Sequence, residues 1–276
     1  MSKKILLLIL SMTLLSSIIC MASLSPVRAD SVTVLSSSGF TDAIGDYHVV
    51  GEVQNTGSST VDYVQVTATF YNTNNQVVDT QFSYASLTYM QPNAKSPFDI
   101  IETTSTLVPE ISSYKLQVTS TPSGSIQQGL EITSNSSYTD SIGDLHIVGQ
   151  IQNTGSATSS ATQVFATCYD SSGTVVDTGF TYTNPDDISS SGTASFEIII
   201  SDSTQIPLIT TYSLTAQSSD YALISASSPS ATPTVTPTAT PTIPEFPSLV
   251  VLTLFMTISL MTVIALTAMK RNMTKS

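Results

Sequence analysis

The chain has 276 residues, 41% of them hydrophobic, with two cysteines, two histidines, no tryptophan and a net charge of −12. Only Lys95 and Lys115 face the acidic residues between positions 30 and 247; the other basic residues sit near the two ends. That balance excludes a nucleic-acid-binding role, which needs a basic face, and two cysteines exclude a disulfide framework.

Lys3 and Lys4, an apolar run from Ile5 to Cys20 and the exit Val27-Arg28-Ala29 read as a secretory signal peptide over 1–29. A retained signal anchor is the alternative, and both export the remainder of the chain. Ile18-Ile19 precede Cys20 where a lipoprotein site needs a small residue, so lipidation there is set aside.

The body of the chain is a duplication. Residues 40–57 and 138–155 share 12 of 18 positions at a constant offset of 98. Tyr47 to Gly57 and Leu145 to Gly155 each carry a strand's alternation. Val49, Gly51 and Val53 point one way, and His48, Val50, Glu52 and Gln54 the other. Both copies stop at Asn-Thr-Gly, where Asn and Gly are expected to supply left-handed turn backbone. In the first repeat, strands are predicted at 32–36, 47–54, 61–71, 76–83, 97–102 and 111–119. The second repeats the inward face at Val164, Ala166 and Cys168, and Cys168 is expected as a small buried hydrophobe. Phe165 stands on the outward side where the first repeat has Thr67. A register change that carries it into its own core is the expected account, and a contact patch the alternative. Short alternating strands, frequent turn signals and no helical period predict an all-β fold. It comprises two tandem immunoglobulin-like β-sandwich modules, at 30–120 and 129–219.

Gly51-Glu-Val-Gln-Asn55, Ala68-Thr-Phe-Tyr-Asn72 and Ala166-Thr-Cys-Tyr-Asp170 resemble the FxLYD-type and CARDB-like β-sandwich modules of prokaryotic surface proteins. The phenylalanine that opens the FxLYD motif is Ala68 and Ala166 here. The resemblance implies a fold used for adhesion or spacing, and no catalytic residue.

Beyond residue 219 the composition changes. Pro229, Pro233, Pro237 and Pro241 recur among Ser, Thr and Ala, which predicts a disordered, extended stalk over 220–247. From Pro229 to Pro247 it would reach about 60 Å as polyproline. Residues 248–269 are apolar and uncharged; as a transmembrane helix they would span about 33 Å. Lys270 and Arg271 open a basic tail at 270–276, placed inside the cell. Pro244, Glu245 and Phe246, together with that apolar stretch and basic tail, resemble the PEF-type (PEF-CTERM) sorting signal of archaeal surface proteins. The resemblance implies a sorting transpeptidase that replaces the tail with a lipid; an ordinary single-pass anchor is the alternative. Both put the protein on the outer face of the cell membrane.

Asp42 and Asp46, and again Asp140 and Asp144, place two carboxylates around a Gly turn. They are a candidate calcium half-site; the alternative is a turn in which Asp caps backbone amides. His48 and His146 have no neighbouring His or Cys in sequence and are expected to be structural or solvated. Asn135-Ser-Ser137 is the extracellular N-glycosylation sequon. No Gly-x-Ser-x-Gly elbow or phosphate-binding loop occurs, so no enzymatic activity is expected. The expected function is that of a non-catalytic surface protein contacting envelope proteins or glycans. A spacer without its own ligand and a small-molecule-binding component of a transport or sensing system are the alternatives.

Overall fold

The computed structural model describes residues 31–224. The expected signal peptide, most of the stalk, the apolar segment 248–269, the basic tail and Pro244, Glu245 and Phe246 lie outside them. The described part is all-β apart from two short 3₁₀ turns, Val108–Glu110 and Ile206–Leu208.

The first repeat forms β1 (Val32–Thr41), β2 (Tyr47–Asn55), β3 (Val61–Tyr71), β4 (Val77–Tyr84), β5 (Tyr89–Met90), β6 (Lys95–Glu102) and β7 (Ser113–Pro122). β1-β2-β6 make one sheet; β4-β3-β5, with β7 also on β3, make the other. The second repeat forms β8 (Gln127–Thr139), β9 (Leu145–Asn153), β10 (Gln163–Tyr169), β11 (Val175–Tyr182), β12 (Thr193–Ile200), β13 (Thr211–Gln217) and β14 (Tyr221–Leu223). The 98-residue offset survives in the pairing: Thr67 faces Phe82 and Gln117, and Phe165 faces Phe180 and Thr215.

Each repeat closes its two layers over its own apolar cluster. Val49, Val53, Phe98 and Ile100 from one sheet meet Val66, Ala68 and Phe70 from the other. In the second repeat, Ile147, Ile151, Phe196 and Ile198 meet Val164, Ala166 and Cys168. Burial pushes the Cys168 thiol far up, so it stays protonated and inert.

β14 lies beyond residue 219, where composition alone ends the module. It pairs antiparallel with β13 and parallel with β8, joining both layers into one seven-stranded sheet ordered β11-β10-β13-β14-β8-β9-β12. The first repeat has no counterpart to β14: after Pro122 the chain passes within four residues into β8.

The Asn-Thr-Gly ends of β2 and β9 work differently from the sequence expectation. Neither Asn55, Gly57, Asn153 nor Gly155 has left-handed backbone. Asn153 is fully buried and ties the end of β9 to two neighbouring loop segments. Its Nδ2 donates to the carbonyls of Ala157 (2.8 Å) and Ile188 (2.8 Å), and its Oδ1 accepts from Gly155 N–H (2.9 Å). Asn55 makes the same three bonds with Ser59, Met90 and Gly57. Gly155 is small because the Tyr221 ring would lie 2.3 Å from any Cβ. Asn153→Ala removes three hydrogen bonds, one of them to the buried Ile188 carbonyl, which keeps the Ser159 N–H, and is expected to cost about 2 kcal/mol. Urea unfolding measures it, and a loss under about 1 kcal/mol would show that water replaces the side chain.

The repeats are docked, and that buries surfaces the alternation sets outward. Val50, Glu52 and Pro97, on the outer face of β2 and β6, are buried because β10 and β11 lie against that sheet. Phe165 is 5% exposed and packs into the apolar cluster of the first repeat. Register is unchanged, so the expected slip did not occur; the neighbouring module covers the ring instead.

Candidate functional site

Polar clamps run along the junction. Ser36 Oγ accepts the Val175 N–H (3.1 Å), and Ser38 Oγ donates to the Val175 carbonyl (2.6 Å). Gln217 Oε1 accepts the N–H groups of Thr88 (2.8 Å) and Tyr89 (3.2 Å), while its Nε2 donates to the Tyr89 carbonyl (2.9 Å). Glu52, 3% exposed, is held from both sides: Lys95 Nζ lies 3.1 Å away and Tyr169 Oη donates at 2.7 Å. Burial, and then the Glu52 charge, raise the Tyr169 phenol, which therefore remains a donor. Beside this group a cleft of about 630 Å³ opens between the repeats, lined by Glu52, Tyr89, Lys95, Gln128, Tyr169 and Thr215 among others. That volume is in the range of small-molecule sites.

The two Asp-Gly turns serve first as scaffolding. Asp42 Oδ1 accepts the N–H groups of Ile44 (3.1 Å), Gly45 (2.8 Å) and Asp46 (2.8 Å), and Gly45 turns at φ +99°. Asp140 does the same with Ile142, Gly143 and Asp144, with Gly143 at φ +101°. Desolvation acts upward on Asp42, but these donors and His48 hold it below the usual carboxylate range. The other carboxylate oxygen faces histidine: Asp42 Oδ2 to His48 Nε2 is 3.5 Å, and Asp140 Oδ2 to His146 Nε2 is 3.3 Å. The far ring nitrogen meets Asp99 (3.0 Å) in one module and Glu197 (2.8 Å) in the other. His48 stacks on Phe40 at 5.2 Å and His146 on Tyr138 at 4.7 Å. The imidazole thus stands between two carboxylates and separates them. Both oxygens of Asp42 and Asp140 are spent on the turn and its histidine, the capping geometry. Among the described residues no group of three or more His, Cys, Asp or Glu is placed to hold a metal ion.

Asn135 sits half-buried in β8, its Oδ1 accepting from Tyr212 Oη at 2.8 Å. Among the described residues no helix is long and apolar enough to cross a membrane.

An aromatic strip lies where the alternation sets polar residues. Tyr63, Phe82 and Tyr84 are 71%, 57% and 51% exposed, with ring centroids 6.5 Å (Tyr63–Tyr84) and 6.0 Å (Phe82–Tyr84) apart, edge to face. Phe180 and Tyr182 repeat part of it at 61% and 53%. The sequence signal is Gln81-Phe-Ser-Tyr84 and Gly179-Phe-Thr-Tyr182, in which aromatic residues alternate on the polar side of a strand. Tyr63 gives a weaker one: it holds left-handed backbone (φ +46°), an uncommon conformation for a bulky residue, where the second repeat has Ala161.

No family model and no curated protein matches the chain. Among solved structures it is similar to red sea bream transglutaminase at 11% identity and a TM-score of 0.23, over 71% of this chain and 30% of that one. The chain thus spans under a third of that enzyme's length, and a likeness at this level carries no argument about function.

Proposed function

We propose that this is a non-catalytic surface protein, exported and held at the outer face of a membrane. It presents two docked immunoglobulin-like modules, of the kind seen in FxLYD and CARDB-like proteins, for contact with envelope proteins or glycans. The observation that carries the reading is the aromatic strip of Tyr63, Phe82 and Tyr84. Exposed rings on a sheet face offer flat apolar platforms with polar rims, which suit sugar faces and protein surfaces. The signal-like N-terminus, the proline-rich stalk, the apolar segment 248–269 and the PEF-type sequence support delivery to that position, by single-pass anchoring or by transpeptidase processing.

The test is retention of the full-length chain, purified in mild detergent, on immobilised envelope polysaccharide and envelope protein. Replacing Phe82 and Tyr84 together by serine should weaken retention roughly tenfold, since an aromatic contact is worth about 0.5–1.5 kcal/mol. If the parent chain is not retained at all, the spacer reading replaces this one. The inter-module cleft supports a second reading, a small-molecule-binding component. Binding of a metabolite that is lost in Tyr169→Phe while envelope retention persists would select it.

A further inference from the structure

The junction between the two repeats joins unlike surfaces. The second repeat contributes the outer face of β10 and β11, with Val175 at its centre; the first contributes the outer face of β1, β2 and β6. Because the fold is duplicated, each of these surfaces exists a second time. The first repeat carries its own copy of the inserting face on β3 and β4. The second carries its own copy of the receiving face on β8, β9 and β12. In a two-layer module these lie on opposite sides, so both copies are left over at the two ends of the docked pair.

The leftover faces keep the valine and the two serines of the internal contact, while Gln150, Ser195, Thr67 and Thr119 stand in the places of Glu52, Pro97, Phe165 and Gln217. Val175 is fully buried without belonging to its own core, because the first repeat covers it. Its counterpart Val77 is 60% exposed. The serines that clamp the Val175 backbone, Ser36 and Ser38, have counterparts in Ser134 and Ser136, both exposed. A bulge just before the first serine occurs at the same place in β1 and β8, and sets Ser36 opposite Glu52 and Ser134 opposite Gln150. Val50, Glu52 and Pro97 are buried under the second repeat, whereas Gln150 and Ser195 are open to solvent. The surface that is filled on the first repeat is a concavity of about 660 Å³ on the second, lined by Ser134, Ser136, Val148, Gln150 and Ser195 among others.

We propose that the chain associates with further copies of itself head to tail, the β3–β4 face of one copy, centred on Val77, docking onto the β8–β9–β12 face of the next between Ser134 and Ser136. The occupant is a second copy because the internal junction is already the template for that contact. Unlike surfaces that repeat without closing generate an open row of molecules rather than a twofold dimer. The external contact is weaker than the internal one, because Thr67 stands where Phe165 supplies the apolar anchor. It therefore builds up only at high local concentration, as for chains crowded on one surface. The inference rests on the internal junction, not on the aromatic strip or its ligands.

Two variants of the full chain, each with Cys20→Ser and one added cysteine, Val77→Cys or Ser136→Cys, test it with a short bis-maleimide. The Cys20→Ser chain, with Cys168 buried, is the blank. Mixing the two variants should give a covalent dimer that neither gives alone. The double variant should give a ladder beyond the dimer. Equal dimerisation of Val77→Cys alone would indicate a twofold contact and overturn the proposal, as would no product above the blank. By sedimentation velocity in detergent, Val77→Asp should abolish concentration-dependent association, while Ile44→Asp, at a site 84% exposed on the β1–β2 turn, should leave it intact. Loss in both variants, or in neither, also overturns it.

Discussion

Replacing Phe165 by serine is expected to destabilise the protein by about 3–5 kcal/mol, the usual cost of emptying an aromatic site in a core. The unusual part is where the loss appears. Phe165 belongs by chain to the second repeat, yet its ring lies in the apolar cluster of the first, with Leu87 and Met90. Removing it opens a cavity there and loosens the cover over Val50 and Pro97. Amide exchange should therefore rise in β2 and β6 as well as in β10. A thermal transition shared by both repeats should separate into two. Phe180→Ser is the matched control: its ring lies 6.2 Å from Phe165 but is 61% exposed, so the cost should stay within about 0.5 kcal/mol. Equal effects of the two substitutions would show that the docked surfaces contribute little to stability.

The second large effect concerns pH. Asp177 is buried at the junction, and its carboxylate accepts the Thr178 N–H at 2.7 Å. Desolvation dominates and raises it to about 7; the Thr178 bond and His48 act downward, while Asp202 and Asp99 add repulsion. In the unfolded chain an Asp titrates near ~3.9. Between these values the folded protein holds a proton that the unfolded chain does not. Stability is therefore lost as pH climbs through this window and levels off above about 7. His48 acts in the same direction. Its hydrogen bond to Asp99, against desolvation and with the Asp42 charge, raises its pKa above the ordinary value of 6.5. Its contribution is complete below the unfolded value and disappears as pH rises through the folded one. Asp177→Asn should leave stability near pH ~3 unchanged and raise it near pH ~8 by about 2–4 kcal/mol. The difference in Tm between those two pH values should shrink accordingly. If the variant keeps the parent's slope, Asp177 does not carry the charge penalty assigned to it.

The counterpart Asp79 shows that the shift depends on surroundings and not on strand position. It occupies the same strand position without a module over it, and Glu102 and the Thr80 N–H hold it below the ordinary carboxylate range. The same residue in duplicated local structure titrates in opposite directions. Two things differ: Asp177 loses more water, and Ile200 stands where Asp79 has its partner Glu102.

The all-β class and the existence of two copies were legible because neither needs tertiary contacts. Period-two alternation needs only neighbouring residues, and the 98-residue offset compares the chain with itself. The predicted strand at 61–71 matches β3, and the one at 47–54 falls one residue short of β2. β5 and β14 were missed since two or three residues carry no period, and their strand character comes from partners far away in sequence. The Asn-Thr-Gly ends were read as backbone chemistry, whereas the side chain of Asn153 reaches Ile188, 35 residues on.

The sequence by itself determined that two copies of one strand pattern exist, which positions face each core, and that Asp42 and Asp140 sit at tight turns. Tertiary structure alone decided the fate of the outward faces. Alternation distinguishes only the two sides of a strand. Whether the outer side meets water or another module depends on packing such as that of Phe165 into the first repeat's apolar cluster, between residues that no local rule connects. That is why Val50 and Glu52 are buried while Gln150 and Val77, on faces without a module over them, are exposed.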